Sequence, residues 1–112
     1  MMCIDAMEMI PPEDWQAILG RFRRALRRNG LLYLTVERHA EDQVRTRNEE
    51  ARRRGLPVVD GEVLWEDSGY HFYPRMERVR GWLKDSGFTV EDDAEGPWAG
   101  YAYHHVLARL GT

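Results

Sequence analysis

A histidine among aromatic residues is the first candidate for chemistry in this chain. The segment Tyr70-His71-Phe72-Tyr73 comes directly before Pro74. An imidazole titrates near neutral pH, so His71 could act as a general base that takes a proton from a bound substrate. Tyr70 and Tyr73 could form the wall of the same substrate site. The alternative is that this aromatic cluster fills the hydrophobic core.

A second pair of candidates follows the most apolar run of the sequence. Glu37 and His39 come just after Leu31–Val36. A carboxylate in this position could orient an amine or a hydroxyl group of a substrate, and we therefore name both residues as candidate substrate-binding residues. The alternative is that they are solvated loop charges, as most Glu side chains are.

The remaining residues with ligand chemistry predict no metal site. His104 and His105 are adjacent on a predicted strand, so their side chains point to opposite faces and cannot easily bind one ion. Cys3 is the only cysteine, which excludes an internal disulfide and a site with several thiolates. A single cysteine is also compatible with a reducing cytoplasm.

Size and composition restrict the class of protein. The chain has 112 residues, 43% of them hydrophobic, and a net charge of −3, which predicts one small folded domain. The basic residues are mostly scattered among acidic ones, so we expect no nucleic-acid partner. No apolar run approaches the roughly 20 residues that cross a bilayer, and no signal peptide is recognisable at the N-terminus. We expect a cytoplasmic protein that is not inserted in a membrane.

The first half of the sequence predicts a strand, a helix and a second strand. Met1–Ile4 is interpreted as the end of a buried strand. Pro11 and Pro12 suit the start of a helix, which Asn29-Gly30 would end. One helical face is apolar, formed by Trp15, Ile18, Leu19, Phe22 and Leu26. Leu31–Val36 is continuously apolar, which is typical of a strand covered on both faces within a parallel sheet.

The second half begins with a polar insertion. Residues 40–54 predict a surface helix that Gly55 ends, and Asp60-Gly61 indicates a tight hairpin or a folded lid between Pro57 and Trp65. Pro74 would open the last helix, which Gly87 would end. Two antiparallel strands follow, at 88–95 and 101–110.

This element order predicts an α/β fold. Ligands of such sheets collect beyond the carboxyl ends of the strands, which here are Asp5–Glu8 and Glu37–His39.

Several segments, in this order, resemble the C-terminal, substrate-side half of class I S-adenosylmethionine-dependent methyltransferases. Cys3 to Trp15 resembles the passage from the fourth strand into the next helix. Phe22–Leu32 is similar to a helix, a glycine-containing turn and the fifth strand, with Arg28-Asn29-Gly30 where Pro-Gly-Gly is common. Tyr73–Phe88 resembles the last helix with its terminal Gly-Phe, and the final strand pair resembles the reversed sixth and seventh strands.

The resemblance implies a partial Rossmann-like methyltransferase fold. We expect a mixed sheet with parallel strands, a C-terminal antiparallel pair and helices packed on it. Residues 1–112 would form one domain, with an insertion or lid at 40–69. Asp5, Ala6 and Met7 would contact the methionyl end of the cofactor or the substrate. Glu8 matches a frequent Glu-His pair of the family, but Met9 replaces the histidine.

The cofactor half of the family pattern has no counterpart in this sequence. The family's first strand, its Gly-x-Gly loop and the acidic residue that binds the ribose are missing. Glycines let backbone N–H groups approach a ligand, and an acidic group accepts hydrogen bonds from the ribose hydroxyls. We therefore expect that this chain alone binds S-adenosylmethionine weakly or not at all.

Three functional hypotheses follow. The first is a methyltransferase that acts on a small-molecule methyl acceptor and whose cofactor half lies in a longer parent chain. The second is a non-catalytic remnant or interaction module that forms a homodimer through its exposed sheet edge, because an unpaired edge invites pairing. The third is a split enzyme, in which a separate polypeptide supplies the missing N-terminal half. The insertion would decide the acceptor, and its sequence carries no recognisable code for one.

Overall fold

The fold is described from a computed structural model, which covers residues 2–3, 7–98 and 101–111. Two short 3-10 helices, Met7–Met9 and Pro12–Asp14, precede the first α-helix. The helices are α1 (Trp15–Ala25), α2 (Glu41–Arg53) and α3 (Met76–Asp85). The strands are β1 (Met2–Cys3), β2 (Leu31–Glu37), β3 (Glu62–Trp65), β4 (Gly69–Phe72), β5 (Phe88–Trp98) and β6 (Tyr101–Leu110).

The main sheet has four strands in the order β1-β2-β6-β5, and β3 and β4 form a separate hairpin. The predicted α/β class is confirmed. Among the residues that the structure describes, β1 and β2 form the one parallel pair, in which Met2 lies opposite Tyr33. The pairs β2–β6 and β5–β6 are antiparallel. The prediction that Leu31–Val36 lies within a parallel sheet is therefore correct on one side of β2 only, because β6 occupies the other side.

The hydrophobic core lies between one face of this sheet and the helices α1 and α3. Trp15 of α1 is fully buried and stacks on Trp82 of α3, with ring centroids 5.1 Å apart. Both contact the buried face of the sheet, which includes Leu34 and Val106. Phe72, from the hairpin, meets the Trp15 ring edge-on at 6.4 Å. One apolar layer thus joins the sheet, both helices and the end of β4.

Helix α1 ends earlier than the sequence predicts. The helix stops at Ala25 and Leu26 is already extended, whereas the predicted end was Asn29-Gly30. Asn29 does adopt the expected left-handed conformation, with φ of 61°. Its N–H donates a hydrogen bond to the carbonyl of Leu110, at 2.9 Å. The chain leaves the helix early because this segment is bonded to the end of β6.

The polar insertion folds into an inserted unit of α2, β3 and β4, residues 41–72. The predicted surface helix is confirmed, and Gly55 follows it with φ of 80°. The predicted hairpin turn at Asp60-Gly61 is wrong, because the turn lies after Trp65, which pairs with Gly69. A Cβ on Gly61 would lie 2.6 Å from the carbonyl oxygen of Tyr73. Gly61 thus permits close backbone contact and does not form the hairpin turn.

No helix in the described part of the chain combines the length and the apolarity that a bilayer crossing requires.

Candidate functional site

A cleft of about 320 Å³ opens at the carboxyl end of β2, between the inserted unit and the start of α3. The position agrees with the rule that ligands of α/β sheets collect beyond the carboxyl ends of strands. The cleft brings together three of the candidate substrate-binding residues, Glu37, His39 and Tyr73. It is lined by Glu37, Arg38, His39, Glu41, Val44, Arg45, Asn48, Asp60, Gly61, Tyr73, Pro74, Arg75 and Glu77.

The candidate base, His71, is not itself a lining residue of this cleft but lies beside one of its carboxylates, Glu37. Glu37 is the last residue of β2, and His71 lies in β4. The Nε2 atom of His71 is 3.9 Å from Oε2 of Glu37, and the two side chains are only 14% and 12% exposed. The imidazole also stacks on the ring of Tyr73, with centroids 5.9 Å apart and an angle of 11° between the planes. The structure therefore brings Glu37 next to His71 and Tyr73, which lie more than 30 positions later in the sequence.

Tyr73 remains a neutral phenol in this environment. Burial raises its pKa to about 12, and the negative charges of Glu37 and Glu8 act in the same direction. The indole N–H of Trp65 donates a hydrogen bond to the Tyr73 hydroxyl at 2.9 Å, which opposes this rise. Tyr73 can thus bind or orient a ligand near neutral pH, but it does not serve as the base.

His39 lies at the exposed mouth of the cleft. Its Nε2 atom is hydrogen-bonded to Oε1 of Gln43 at 2.6 Å. Its ring centroid lies 4.8 Å from that of Trp65 and 5.7 Å from that of Tyr73. His39 thus extends the aromatic wall outward, whereas His71 lies beside the inner carboxylate.

Tyr70 lies away from the Glu37–His71 pair. Side chains alternate along a strand, so Tyr70 points to the same side of β4 as Phe72 and packs against the hydrophobic core. Its hydroxyl donates a hydrogen bond to Oε2 of the buried Glu62. Burial and this carboxylate raise the pKa of Tyr70 far above its usual value of 10.0. In this structure Tyr70 holds the inserted unit together.

Sequence reasoning missed one buried polar residue that lines the cleft. Asn48 is buried, and its side-chain amide donates hydrogen bonds of 2.8 Å to the carbonyls of both Val59 and Glu62. These bonds fix α2 against the chain that enters β3. A signal was present, since Asn48 follows Val44 by four positions and precedes Ala51 by three, on the otherwise apolar stripe of α2.

The described residues do not fit S-adenosylmethionine. Met7 is completely buried in the core, and Asp5 and Ala6 lie outside the described residues. The described glycines with positive φ follow a helix or flank a strand, and none begins a helix. A helix N-terminus with closely approaching glycine backbone is the usual means of binding such a ligand. The described residues therefore supply no glycine loop of this kind at a helix N-terminus.

The adjacent histidines on β6 have separate partners on the two faces of the sheet. Nε2 of His104 lies 2.9 Å from Oδ1 of Asp93, whereas Nδ1 of His105 is hydrogen-bonded to the hydroxyl of Tyr33. The prediction that they point to opposite faces is confirmed. Within residues 2–3, 7–98 and 101–111, no three His, Cys, Asp or Glu side chains gather closely enough to hold a metal ion.

Comparison with known proteins identifies the fold through structure and not through sequence. No protein-family model matches the chain, and no curated protein matches it. Among solved structures, a methyltransferase from Methanosarcina mazei described as S-adenosylmethionine-dependent superposes with a TM-score of 0.82 at 14% identity. That match covers 98% of this chain and 57% of the other.

Two further structures contain S-adenosylhomocysteine. Magnesium protoporphyrin IX methyltransferase from Synechocystis PCC 6803 matches with a TM-score of 0.64 and 14% identity, over 98% of this chain and 43% of that enzyme. The 1,6-didemethyltoxoflavin-N1-methyltransferase from Burkholderia thailandensis matches with a TM-score of 0.63 and 16% identity, over 99% of this chain and 44% of that enzyme.

The chain therefore spans about half the length of the structures that it matches. Their shared architecture agrees with the order of helices and strands described above, and at these low identities the likeness concerns the fold. The chain has the fold of class I S-adenosylmethionine-dependent methyltransferases.

Proposed function

We propose that this chain is the acceptor-binding part of an S-adenosylmethionine-dependent methyltransferase that acts on a small molecule. One observation carries the proposal. In a methyltransferase fold, Glu37 lines the cleft beyond β2, and its carboxylate lies 3.9 Å from the imidazole of His71. The cleft volume of about 320 Å³ lies at the lower end of the range for small-ligand sites.

The chemistry assigned to this chain is binding of the acceptor and removal of its proton. As an N–H or O–H group of the acceptor becomes a nucleophile, its proton passes to Nε2 of His71. Glu37 stabilises the imidazolium that forms, because an adjacent carboxylate favours the charged ring. A positioned base of this kind contributes about 10²–10⁴-fold to a rate. The ring of Tyr73 stacks on His71, and the low exposure of the pair limits its contact with water.

The cofactor half of the reaction is assigned to residues other than those described. In the complete enzyme, S-adenosylmethionine would supply the methyl group. The support is that similar structures contain bound S-adenosylmethionine or S-adenosylhomocysteine and extend well beyond the matched region. Asp5 and Ala6 remain our candidates for contact with its methionyl end, while Met7 would support them from the core.

A chimera tests this proposal. The part of the Methanosarcina mazei structure that this chain does not cover would be joined to the chain. The chimera would then be assayed for methyl transfer from labelled S-adenosylmethionine to a panel of small amines and phenols. We expect turnover that falls about 100-fold or more in His71→Ala, with unchanged affinity for S-adenosylhomocysteine. Tyr70→Phe is the control, because that hydroxyl points away from the cleft.

Two results would contradict the proposal. One is a chimera that binds S-adenosylhomocysteine but methylates no acceptor in the panel. The other is turnover that His71→Ala leaves unchanged, which would exclude His71 as the base.

The second candidate function is an interaction module that dimerises through β1. The supporting observation is that β1 forms one edge of the described sheet. The opposite edge strand, β5, carries Glu91, Asp92, Asp93 and Glu95, and charged side chains discourage pairing at an edge. A homodimer would therefore form at β1. Light scattering that shows a monodisperse monomer at high concentration would exclude it.

A further inference from the structure

The charge at the inner end of the cleft indicates which acceptors it suits. Among the charged side chains of the cleft that have an ion-pair partner, Glu37 is the least exposed, at 12%. Glu8 is also buried, and the negative charges of both carboxylates reach the hydroxyl of Tyr73. A charge in a partly buried site acts more strongly than one in water because the local dielectric constant is lower. The inner end therefore favours a positively charged group.

Two of the residues that line the cleft with Glu37 carry aromatic rings. Tyr73 and His39 line the cleft, and Trp65 meets the Tyr73 ring edge-on at 6.3 Å. The imidazole of His71, which lies beside Glu37, stacks on the Tyr73 ring. The face of an aromatic ring attracts an organic cation, and it also packs well against a second ring. An acceptor that combines an ammonium group with an aromatic body would match both features.

The arginines of the cleft do not cancel this preference. Arg45 and Arg75 are exposed, and Nε of Arg75 pairs with Asp60 at 3.3 Å. Arg38 is 32% exposed, and its guanidinium lies 4.0 Å from Oε1 of Glu95 on β5. Two of the three positive charges thus have carboxylate partners, and the third lies in the exposed part of α2.

We infer that the cleft binds a small aryl-alkyl amine, with the ammonium group against Glu37 and the ring against Tyr73. This inference rests on the proposed function and names the class of acceptor. A protonated amine has no lone pair for attack, so one N–H bond must break. The nitrogen keeps the electron pair, and the proton passes to Nε2 of His71.

Binding of three matched probes to the chain tests the inference. The probes 2-phenylethylamine, 2-phenylethanol and phenylacetate share a ring and differ in the charge of the terminal group. Each would be titrated at neutral pH and followed by amide chemical shifts. We expect the amine to bind about tenfold more tightly than the alcohol, the factor for one charge-assisted hydrogen bond, with the largest shifts near Glu37 and Tyr73.

A pair of variants separates the role of one carboxylate from general charge. Glu37→Gln keeps the side-chain shape, and we expect it to weaken amine binding about tenfold while alcohol binding stays unchanged. Glu49→Gln removes an exposed charge from α2 outside the cleft and should behave as the unmodified chain. Thermal unfolding would verify that both variants are folded.

Three results would overturn the inference: equal affinity for the amine and the alcohol, tightest binding of phenylacetate, or no binding of any probe. The assay contains no cofactor, so its outcome is separate from that of the chimera. Amine binding with an inactive chimera would retain this site and reject methyl transfer. A chimera that methylates phenols while the amine fails to bind would support methyl transfer and reject the amine site.

Discussion

Two regions of this molecule are stabilised by different forces. The sheet layer with α1 and α3 depends on apolar packing, centred on the stacked rings of Trp15 and Trp82. The inserted unit depends on hydrogen bonds of the buried side chains of Asn48 and Glu62 and of the half-buried Tyr70. Apolar packing tolerates small shifts, whereas a buried polar group needs a partner in a defined direction. The apolar layer contributes the carboxyl end of β2 and the start of α3 to the cleft, and the polar unit contributes the remaining wall.

The largest expected effect is the loss of the central ring of the apolar layer. Trp15 is fully buried, stacks on Trp82 and donates a hydrogen bond to the carbonyl of Ile10 at 3.2 Å. We expect Trp15→Ala to lower the free energy of unfolding by about 3–5 kcal/mol, measured by urea denaturation. Leu64→Ala, at a position that is 39% exposed, is the control. A loss below about 1 kcal/mol for Trp15→Ala would contradict the assigned core.

The next effect concerns the inserted unit. Asn48→Ala leaves the carbonyls of Val59 and Glu62 without their amide donor, which should cost about 1–3 kcal/mol. Hydrogen exchange should accelerate in α2 and β3 before it accelerates in β2 and β6. The exposed neighbour Glu49→Ala serves as the matched control. Uniform acceleration throughout the chain would show that the two regions unfold as one.

A smaller effect is expected from the tyrosine hydroxyl of the inserted unit. Tyr70→Phe removes the donor to Glu62, at an expected cost of about 1–2 kcal/mol in unfolding free energy. Combined with Glu62→Gln in a double-mutant cycle, the coupling should be about 0.5–3 kcal/mol. Additive losses would mean that the bond contributes nothing to stability.

The smallest effect is an ion-pair contribution that depends on pH. Hydrogen bonds from Arg80 and His104 hold the pKa of Asp93 below its usual value of 3.8. A carboxyl group whose pKa is lower in the folded state stabilises the fold at pH values above its unfolded pKa. This contribution is lost as the pH falls through the folded pKa. We expect Asp93→Asn to cost about 0.5–1 kcal/mol at neutral pH and almost nothing in strong acid. Asp92→Asn is the control. If the loss of unfolding free energy in Asp93→Asn were the same at every pH, the loss would not come from the ionised Asp93.

The apolar layer could be predicted from the sequence because its signals are local. The spacing of Trp15, Leu19 and Phe22 indicates a helical face, and the continuous run Leu31–Val36 indicates a covered strand. Both elements are present. The expected sheet was mixed, with parallel strands and a C-terminal antiparallel pair. The described residues have that antiparallel pair and the parallel pair β1–β2, but the pairing of β2 with β6 was not foreseen, because strand order depends on long-range contacts.

The inserted unit could be predicted only in part. The helix of 41–53 was foreseen, but the hairpin turn was wrongly placed at Asp60-Gly61, because local turn chemistry could not show that Gly61 meets the backbone of Tyr73. Likewise, Tyr70 and Tyr73 are only three positions apart, yet their side chains lie in different places. Tyr70 lies in β4 and packs on the core, whereas Tyr73 follows the end of β4 and lines the cleft. The grouping of Glu37 with His71 follows from tertiary structure.

The most direct test of the central claim is a calorimetric titration of the chain with S-adenosylhomocysteine. If the chain forms an acceptor cleft and no cofactor cradle, we predict no detectable binding at millimolar ligand. The binding free energy would then be weaker than about −4 kcal/mol. Micromolar binding would contradict this division, because the described residues would then have to assemble a cofactor site that their geometry does not provide.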